Sequence, residues 1–243
     1  MTLFLTSAPG GYYTGPDRSI FRGLDERNGF VENLKNRWRE NSRVLFVSAS
    51  PEDFLENDGA ARAFEKAFSL QNLSVSQINV CDSRNPACEL TGYDLLIFGG
   101  GHVPTQNAFF QKIGLKAALW DFDGMVIGIS AGTMNCAETV YAQPELPGEA
   151  VDPDFRRFIP GLGLTEIMVL PHYQMLKDET LDGLRVIEDI TLPDSMGRKI
   201  HVLVDGSYIL VENGISRLFG EGYLAENGEL RKLCEEGKII RIL

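Results

Sequence analysis

Residues 125–133 read Met125-Val126-Ile127-Gly128-Ile129-Ser130-Ala131-Gly132-Thr133. An apolar run passes through a G-x-S-x-G, Gly128 to Gly132, into a stretch compatible with a helix. A strand that turns sharply into a helix needs small residues on both sides of the bend, and a serine at its apex presents Oγ at the strand's C-terminal end. The segment therefore predicts a strand–turn–helix unit with Ser130 as candidate nucleophile. The amide of Ala131, at the helix start, is a candidate donor to an oxyanion. The plainer alternative is a close-packed turn whose serine only caps the helix.

Working outward, short apolar runs alternate with amphipathic stretches over the first 190 residues. Candidate strands are Leu3–Thr6, Val44–Val47, Leu73–Val80, Leu95–Phe98, Val126–Ile129 and Ile167–Leu170, with helical patterns near 25–38, 52–71, 105–120 and 179–189. Such alternation indicates βαβ units and right-handed crossovers. The pattern predicts an α/β fold, a mostly parallel sheet flanked by helices on both faces. From about residue 200 the runs are close together: His201–Val204, Tyr208–Val211, Ile215–Leu218 and Ile239–Ile242, with turns at Asn213-Gly214 and Asn227-Gly228. This tail reads as a C-terminal antiparallel strand extension of the same sheet. One domain over 1–243 is expected, with Gln143–Asp154 as a surface loop.

In open α/β sheets, binding crevices form at strand C-terminal ends. Phe98-Gly99-Gly100-Gly101-His102 ends a neighbouring strand, and its glycines can turn amides toward the same crevice. It lacks the spacing of a nucleotide loop, since Pro104 stands where G-x-G-x-x-G needs glycine and no GK[ST] follows. A serine nucleophile needs a base. Of the three histidines, His102 lies in the glycine loop and His201 begins a late strand. His172 follows an apolar run through Pro171, at a strand's C-terminal end, and is favoured. The carboxylate that orients it is best sought at Asp205, which ends the run His201–Val204; Glu145 and Glu149, in the loop after the elbow, also come within reach.

The 243 residues carry 34 acidic and 23 basic side chains, a formal charge of −11. That balance opposes a phosphate-binding face, so no nucleic-acid partner is expected. No run approaches the roughly 18–20 apolar residues of a membrane span, and the N-terminus lacks a signal-peptide pattern, so a cytoplasmic protein with no membrane partner is expected. Cys81, Cys88, Cys136 and Cys234 form no CxxC pair, and neither a metal nor another cofactor is expected. Trp38 and Trp120 read as packing residues, Cys136 as a residue packed on the sheet, and Tyr12 and Tyr13 as loop residues that could overhang the crevice.

The ordered set — the elbow, the preceding three glycines, Pro171-His172 after a later strand and Asp205-Gly206 after a further one — resembles the dipeptidase E and cyanophycinase family of serine peptidases. The opening Leu3-Phe4-Leu5-Thr6-Ser7 is similar too, and the likeness runs to about residue 212. It implies a flavodoxin-like sandwich resembling class I glutamine amidotransferases, with serine in place of cysteine at the elbow. It further implies Ser130 as nucleophile, His172 as base, Asp205 where dipeptidase E has a glutamate, and Glu145 as alternative triad acid. The oxyanion donors would be the amides of Gly100 or Gly101 and of Ala131. The implied partner is a small peptide substrate, with a homodimer allowed. Two positions depart from the pattern. His102 replaces an asparagine and becomes a candidate substrate contact. Leu181 stands where dipeptidase E carries the arginine that pairs the substrate's aspartate, a contact leucine cannot make. Arg185, one turn later, is the candidate replacement, and strict Asp-Xaa specificity is not carried over.

Three functions follow. The first is a serine-type peptidase acting through an acyl-enzyme on Ser130. The second is an α/β-hydrolase-type esterase using His201 as base with Asp178 or Asp189 as acid. The third is a non-catalytic amidotransferase-like module that binds a metabolite or a protein.

Overall fold

The computed structural model describes residues 1–10, 23–86 and 89–242; Tyr12, Tyr13 and Cys88 lie outside the described residues. The elements in chain order begin with β1 (Thr2–Thr6), α1 (Phe30–Lys35), β2 (Ser42–Val47), α2 (Phe54–Leu70) and β3 (Val75–Cys81). Then come β4 (Leu95–Phe98), α3 (Val103–Lys112), α4 (Leu115–Ala118), β5 (Met125–Ile129) and α5 (Ala131–Asn135). β6 (Thr139–Tyr141), β7 (Phe158–Pro160), β8 (Met168–Leu170), α6 (Tyr173–Leu176), β9 (Thr180–Leu181) and β10 (Leu184–Arg185) follow. The chain closes with β11 (Lys199–Leu203), β12 (Tyr208–Glu212), β13 (Ile215–Phe219), β14 (Gly222–Glu226), β15 (Glu229–Cys234) and β16 (Ile239–Ile242).

Eight strands form the large sheet in the order β16-β13-β12-β1-β5-β4-β2-β3. Its β1-β5-β4-β2-β3 half is parallel throughout. β12, β13 and β16 continue it antiparallel from β1. The α/β architecture and the antiparallel extension are as expected. Period-two alternation explains why helices cover both faces. Leu3, Leu5, Leu45, Val47, Leu96, Phe98 and Val126 point to one side, where α3 packs through Phe109 and Phe110. Phe4, Val44, Phe46, Leu95, Ile97 and Ile127 point to the other, under α1 and α2. α2 starts where Asp53 accepts a hydrogen bond from the Glu56 amide (3.1 Å), an N-cap that supplies one orphan amide with a partner.

Two expectations about strands and helices fail here. The run ending at Leu170 does not join the large sheet. β8 pairs parallel with β11, and β11 is followed outward by β14 and β15 in a separate four-stranded sheet. The tail is thus divided between two sheets, because strand partners are chosen by long-range burial that period-two patterning does not encode. The stretch 179–189 is not an amphipathic helix. Asp182 and Gly183, both at positive φ (53° and 83°), turn β9 tightly into β10, and a π-type turn, Val186–Thr191, follows. An Asp-Gly pair is a hairpin signal that outweighs the apolar spacing around it.

A third core cluster packs α5 against the four-stranded sheet and underlies the site. Ala131 and Met134 of α5 pack there with Leu170, Ile200, Val202 and Ile187. Trp38 packs on Phe68 (4.9 Å between centroids) and donates Nε1–H to the Ser74 carbonyl (3.0 Å), as expected. Trp120 does not pack: it is 89% exposed. No helix among the described residues is long and apolar enough to cross a membrane.

Candidate active site

Ser130 stands at the end of β5 with φ 51° and ψ −115°. A non-glycine residue at such angles is strained by about 1–3 kcal/mol and persists only where its surroundings dictate it. They do so here. The Thr6 carbonyl accepts from both the Ser130 amide (3.2 Å) and Thr133 Oγ1 (2.7 Å), stitching the elbow to β1. The flanking glycines are required by close backbone approach. A Cβ on Gly128 would lie 2.7 Å from Thr133 Cα, and one on Gly132 would lie 2.2 Å from the Phe98 carbonyl oxygen. Because Phe98 is the last residue of β4, Gly132→Ala is expected to push α5 off the sheet. The loss should be about 1–3 kcal/mol or more of unfolding free energy, read as a lower denaturant midpoint, with activity falling alongside. An unchanged midpoint would show that the elbow tolerates the methyl group.

The glycine loop follows β4. Gly99 is tied at both ends, donating to the Val47 carbonyl (3.0 Å) and accepting from Gln106 Nε2 (2.8 Å). Gly100 lies directly beside the elbow, where an added Cβ would sit 3.4 Å from Ser130 Cβ. Gly101, at φ 154°, lies against Ala49. The amides of Gly100, Gly101 and Ala131 donate no hydrogen bond among the described residues, so they are available to a ligand.

On the opposite wall, β8 leads through Pro171 to His172, itself at φ 60°. His172 Nδ1 is 2.7 Å from Asp205 Oδ1. Ser7, fully buried at the end of β1, links the two: its Oγ donates to Asp205 Oδ1 (2.6 Å) and accepts the His172 amide (2.9 Å). The Asp205 amide donates to Gln174 Oε1 (3.1 Å). Burial works to raise the Asp205 carboxyl pKa, but the hydrogen bond and charge of His172, then the Ser7 hydroxyl, outweigh it and hold the group below its usual range. An ionised Asp205 accepts a hydrogen bond from Nδ1–H of a neutral imidazole and leaves Nε2 as acceptor. Ser130 and His172 line one cavity of about 310 Å³, with Gly101, Met134, Leu170 and Leu181. Among the described residues no hydrogen bond joins Ser130 Oγ to His172; catalytic hydrogen bonds of this kind often form fully only with substrate bound.

Residues 21–219 match the model of peptidase family S51. The chain belongs to peptidase family S51. A search of curated sequences finds no match for it. Among solved structures, it resembles a peptidase from an acI-B1 actinobacterium (TM-score 0.65, 14% identity, 99% of this chain and 96% of that one). It also resembles a putative peptidase E protein from Listeria monocytogenes EGD-e (TM-score 0.57, 15% identity, 96% of this chain and 98% of that one). At such identities both likenesses speak for the fold.

The S51 fold assembles some of the expected residues and separates others. Ser130, His172, Asp205, Gly100, Gly101 and Ala131 come together. Glu145 lines the cavity but makes no hydrogen bond to His172, whose Nδ1 already has Asp205. His102 does not line the cavity. Its ring bonds Thr105 Oγ1 (2.8 Å) and Glu149 Oε1 (2.9 Å), while Glu149 Oε2 accepts the amides of Glu145 and Leu146. His102 therefore clamps the glycine loop to the 143–154 loop. Arg185 is exposed and held bidentately by Asp189 (2.9 and 2.7 Å), away from the cavity that Leu181 enters. Arg185 is thus absent from the cavity lining, the β9–β10 turn sending it and Leu181 in different directions. Cys136 is buried, and burial pushes its thiol pKa far up. Ser7 enters the sequence reading only as the last residue of the opening segment; its place at a strand's C-terminal end is the one local signal for a role between His172 and Asp205.

The esterase arrangement does not form in this S51 chain. His201 is in the middle of β11, 5% exposed, with no hydrogen-bond partner for Nδ1. Asp189 is engaged by Arg185, and Asp178 is a surface residue near Lys177 (3.9 Å). Burial, the largest influence, lowers the His201 pKa from 6.5 to about 4. A histidine buried neutral contributes full stability above about pH 6.5 and loses it as pH falls toward 4, where the unfolded chain binds the extra proton. The expected loss is about 2–3 kcal/mol by pH 4.5. Urea midpoints at pH 7.5 and 4.5 check this. The fall should be smaller by that amount in His201→Gln; equal falls in both proteins would remove His201 as the cause.

Proposed function

We propose that this S51 peptidase is a serine-type hydrolase that cleaves small peptides through an acyl-enzyme on Ser130. The observation that carries the reading is a serine held in a strained elbow across one cavity from a histidine whose far nitrogen is fixed by a carboxylate. Ser130 Oγ attacks the scissile carbonyl carbon while its proton passes to His172 Nε2. The oxyanion so formed is met by the amides of Ala131 and of Gly100 or Gly101, each donor of this kind typically worth about 3–4 kcal/mol in the transition state. Collapse breaks the C–N bond, and the imidazolium returns the proton to the departing amine. Water then attacks the ester, again giving a proton to His172, and releases the acid with Ser130 restored. Asp205 keeps the imidazole oriented and balances the imidazolium; Ser7 positions both partners.

The protein is further proposed to work in the cytoplasm as one domain, without a cofactor. The test is covalent labelling with a fluorophosphonate followed by mass mapping. The label is expected on the peptide containing Ser130 and absent from Ser130→Ala. An unlabelled wild-type chain, correctly folded, would favour the amidotransferase-like binding module instead.

A further inference from the structure

The cavity beside Ser130 has an uneven chemistry. Its ionisable lining groups are Glu145, Glu179 and His172, and no lysine or arginine lines it among the described residues. Glu145 comes from the loop after β6, and Glu179 from the segment between α6 and β9, so the two carboxylates are brought to one space by separate elements. Neither has an ion-pair partner among the described residues. The cations in those neighbouring elements face elsewhere: Arg185 holds Asp189, Arg157 holds Asp194 (2.8 Å), and Lys177 approaches Asp178. Apart from Ser130 and the Gln143 amide, the rest of the lining is largely apolar, with Met134, Leu170, Met175, Leu176, Leu181 and Val186.

We infer that this cavity receives an organic cation, the ammonium or guanidinium of a residue adjoining the scissile bond, with Glu145 and Glu179 facing the charge and the apolar wall taking its alkyl stem. The inference rests on the serine-peptidase reading and names the substrate class of that same site. A long basic side chain matches both halves of the lining, because its methylenes bury readily while its head keeps polar contacts. A substrate carboxylate has the opposite fit: it would be desolvated beside two like charges with no cation to meet it. The electrostatics of the lining point the same way. Glu145 is an exposed residue overall, yet the atoms crowding its carboxyl, then the charges of Glu149 and Glu179, push its pKa up to about 7. A bound cation removes that repulsion and restores full ionisation. Charge-assisted hydrogen bonds of this kind typically change affinity about 10- to 100-fold each.

The experiment uses the full chain, with active sites counted by fluorophosphonate titration, at low ionic strength and pH 8. Lys-Ala, Arg-Ala, norleucyl-alanine, Leu-Ala, Asp-Ala and the reversed Ala-Lys and Ala-Asp are compared by kcat/KM. The basic peptides are expected to exceed the acidic ones about 100-fold or more at one of the two positions, with the neutral norleucine peptide between them. In Glu145→Gln/Glu179→Gln that ratio should shrink at least about 10-fold. Nα-acetyl and Nε-acetyl lysine peptides separate the two sources of positive charge; the form that loses cleavage identifies the one bound. A labelled enzyme that prefers Asp-Ala, or ignores charge, or cleaves no basic peptide, overturns the inference and leaves the serine reading standing. Absence of both labelling and hydrolysis overturns the two together.

Discussion

Ser130→Ala is expected to lower kcat/KM by about 10⁵- to 10⁶-fold on any peptide the wild type cleaves, the scale on which removal of a serine nucleophile acts in enzymes of this chemistry. The residue is well suited to a clean test. Alanine occupies the left-handed backbone region no better and no worse than serine, and the Ser130 amide bond to the Thr6 carbonyl does not depend on the side chain. The folded structure should therefore be retained, with an unfolding free energy within about 0.5 kcal/mol of wild type, as for substitutions that remove no core contact. Rates measured with a burst-phase assay give the decisive number. A variant that retains more than about one hundredth of the activity would mean that Ser130 is not the nucleophile, whatever its backbone strain.

Asp205→Asn should cost about 10³- to 10⁴-fold in kcat, comparable to the loss of the orienting aspartate in other serine hydrolases. The substitution keeps shape and removes charge. The amide no longer balances the imidazolium that forms as Ser130 gives up its proton, and its NH₂ group favours the wrong imidazole tautomer. Because Ser7 Oγ and His172 Nδ1 converge on the same Asp205 oxygen, rotation of the new amide would also disturb the backbone of His172. Glu145→Gln provides the contrast. Its carboxylate lies in the cavity wall and not on the imidazole, so its effect is expected in KM for cationic peptides and not in kcat for all of them. Measuring kcat and KM separately for both variants discriminates the roles. If Glu145→Gln lost about 10³-fold in kcat while Asp205→Asn stayed within tenfold, the orienting acid would have to be reassigned to the loop after the elbow.

The parts of the site visible in the sequence are those whose chemistry is local. The G-x-S-x-G reads as an elbow because the same five residues supply the bend, the strained serine and the two glycines, one of which must clear a strand carbonyl. The three glycines after Phe98 read as a donor loop for a similar reason. His172 is legible from its place after an apolar run, although that run joins the four-stranded sheet and not the large one the pattern suggests. Its position at a strand's C-terminal end held because β8 has the same local pattern in either sheet.

What residue pattern and spacing determined by themselves is therefore the α/β alternation, the helices on both faces, an antiparallel strand extension, and the segments that could hold nucleophile, donors and base. These depend on period-two and helical spacing and on the backbone freedom of glycine, which act over a few residues. Only the tertiary structure decided among partners distant in the chain. It chose Asp205 over Glu145 for His172 and placed buried Ser7 between them. It turned His102 toward Glu149, sent Arg185 to Asp189 and brought Glu145 and Glu179 to one cavity. A chain rich in carboxylates offers many pairings of equal local merit, and the choice is made by which segments the two sheets bury side by side.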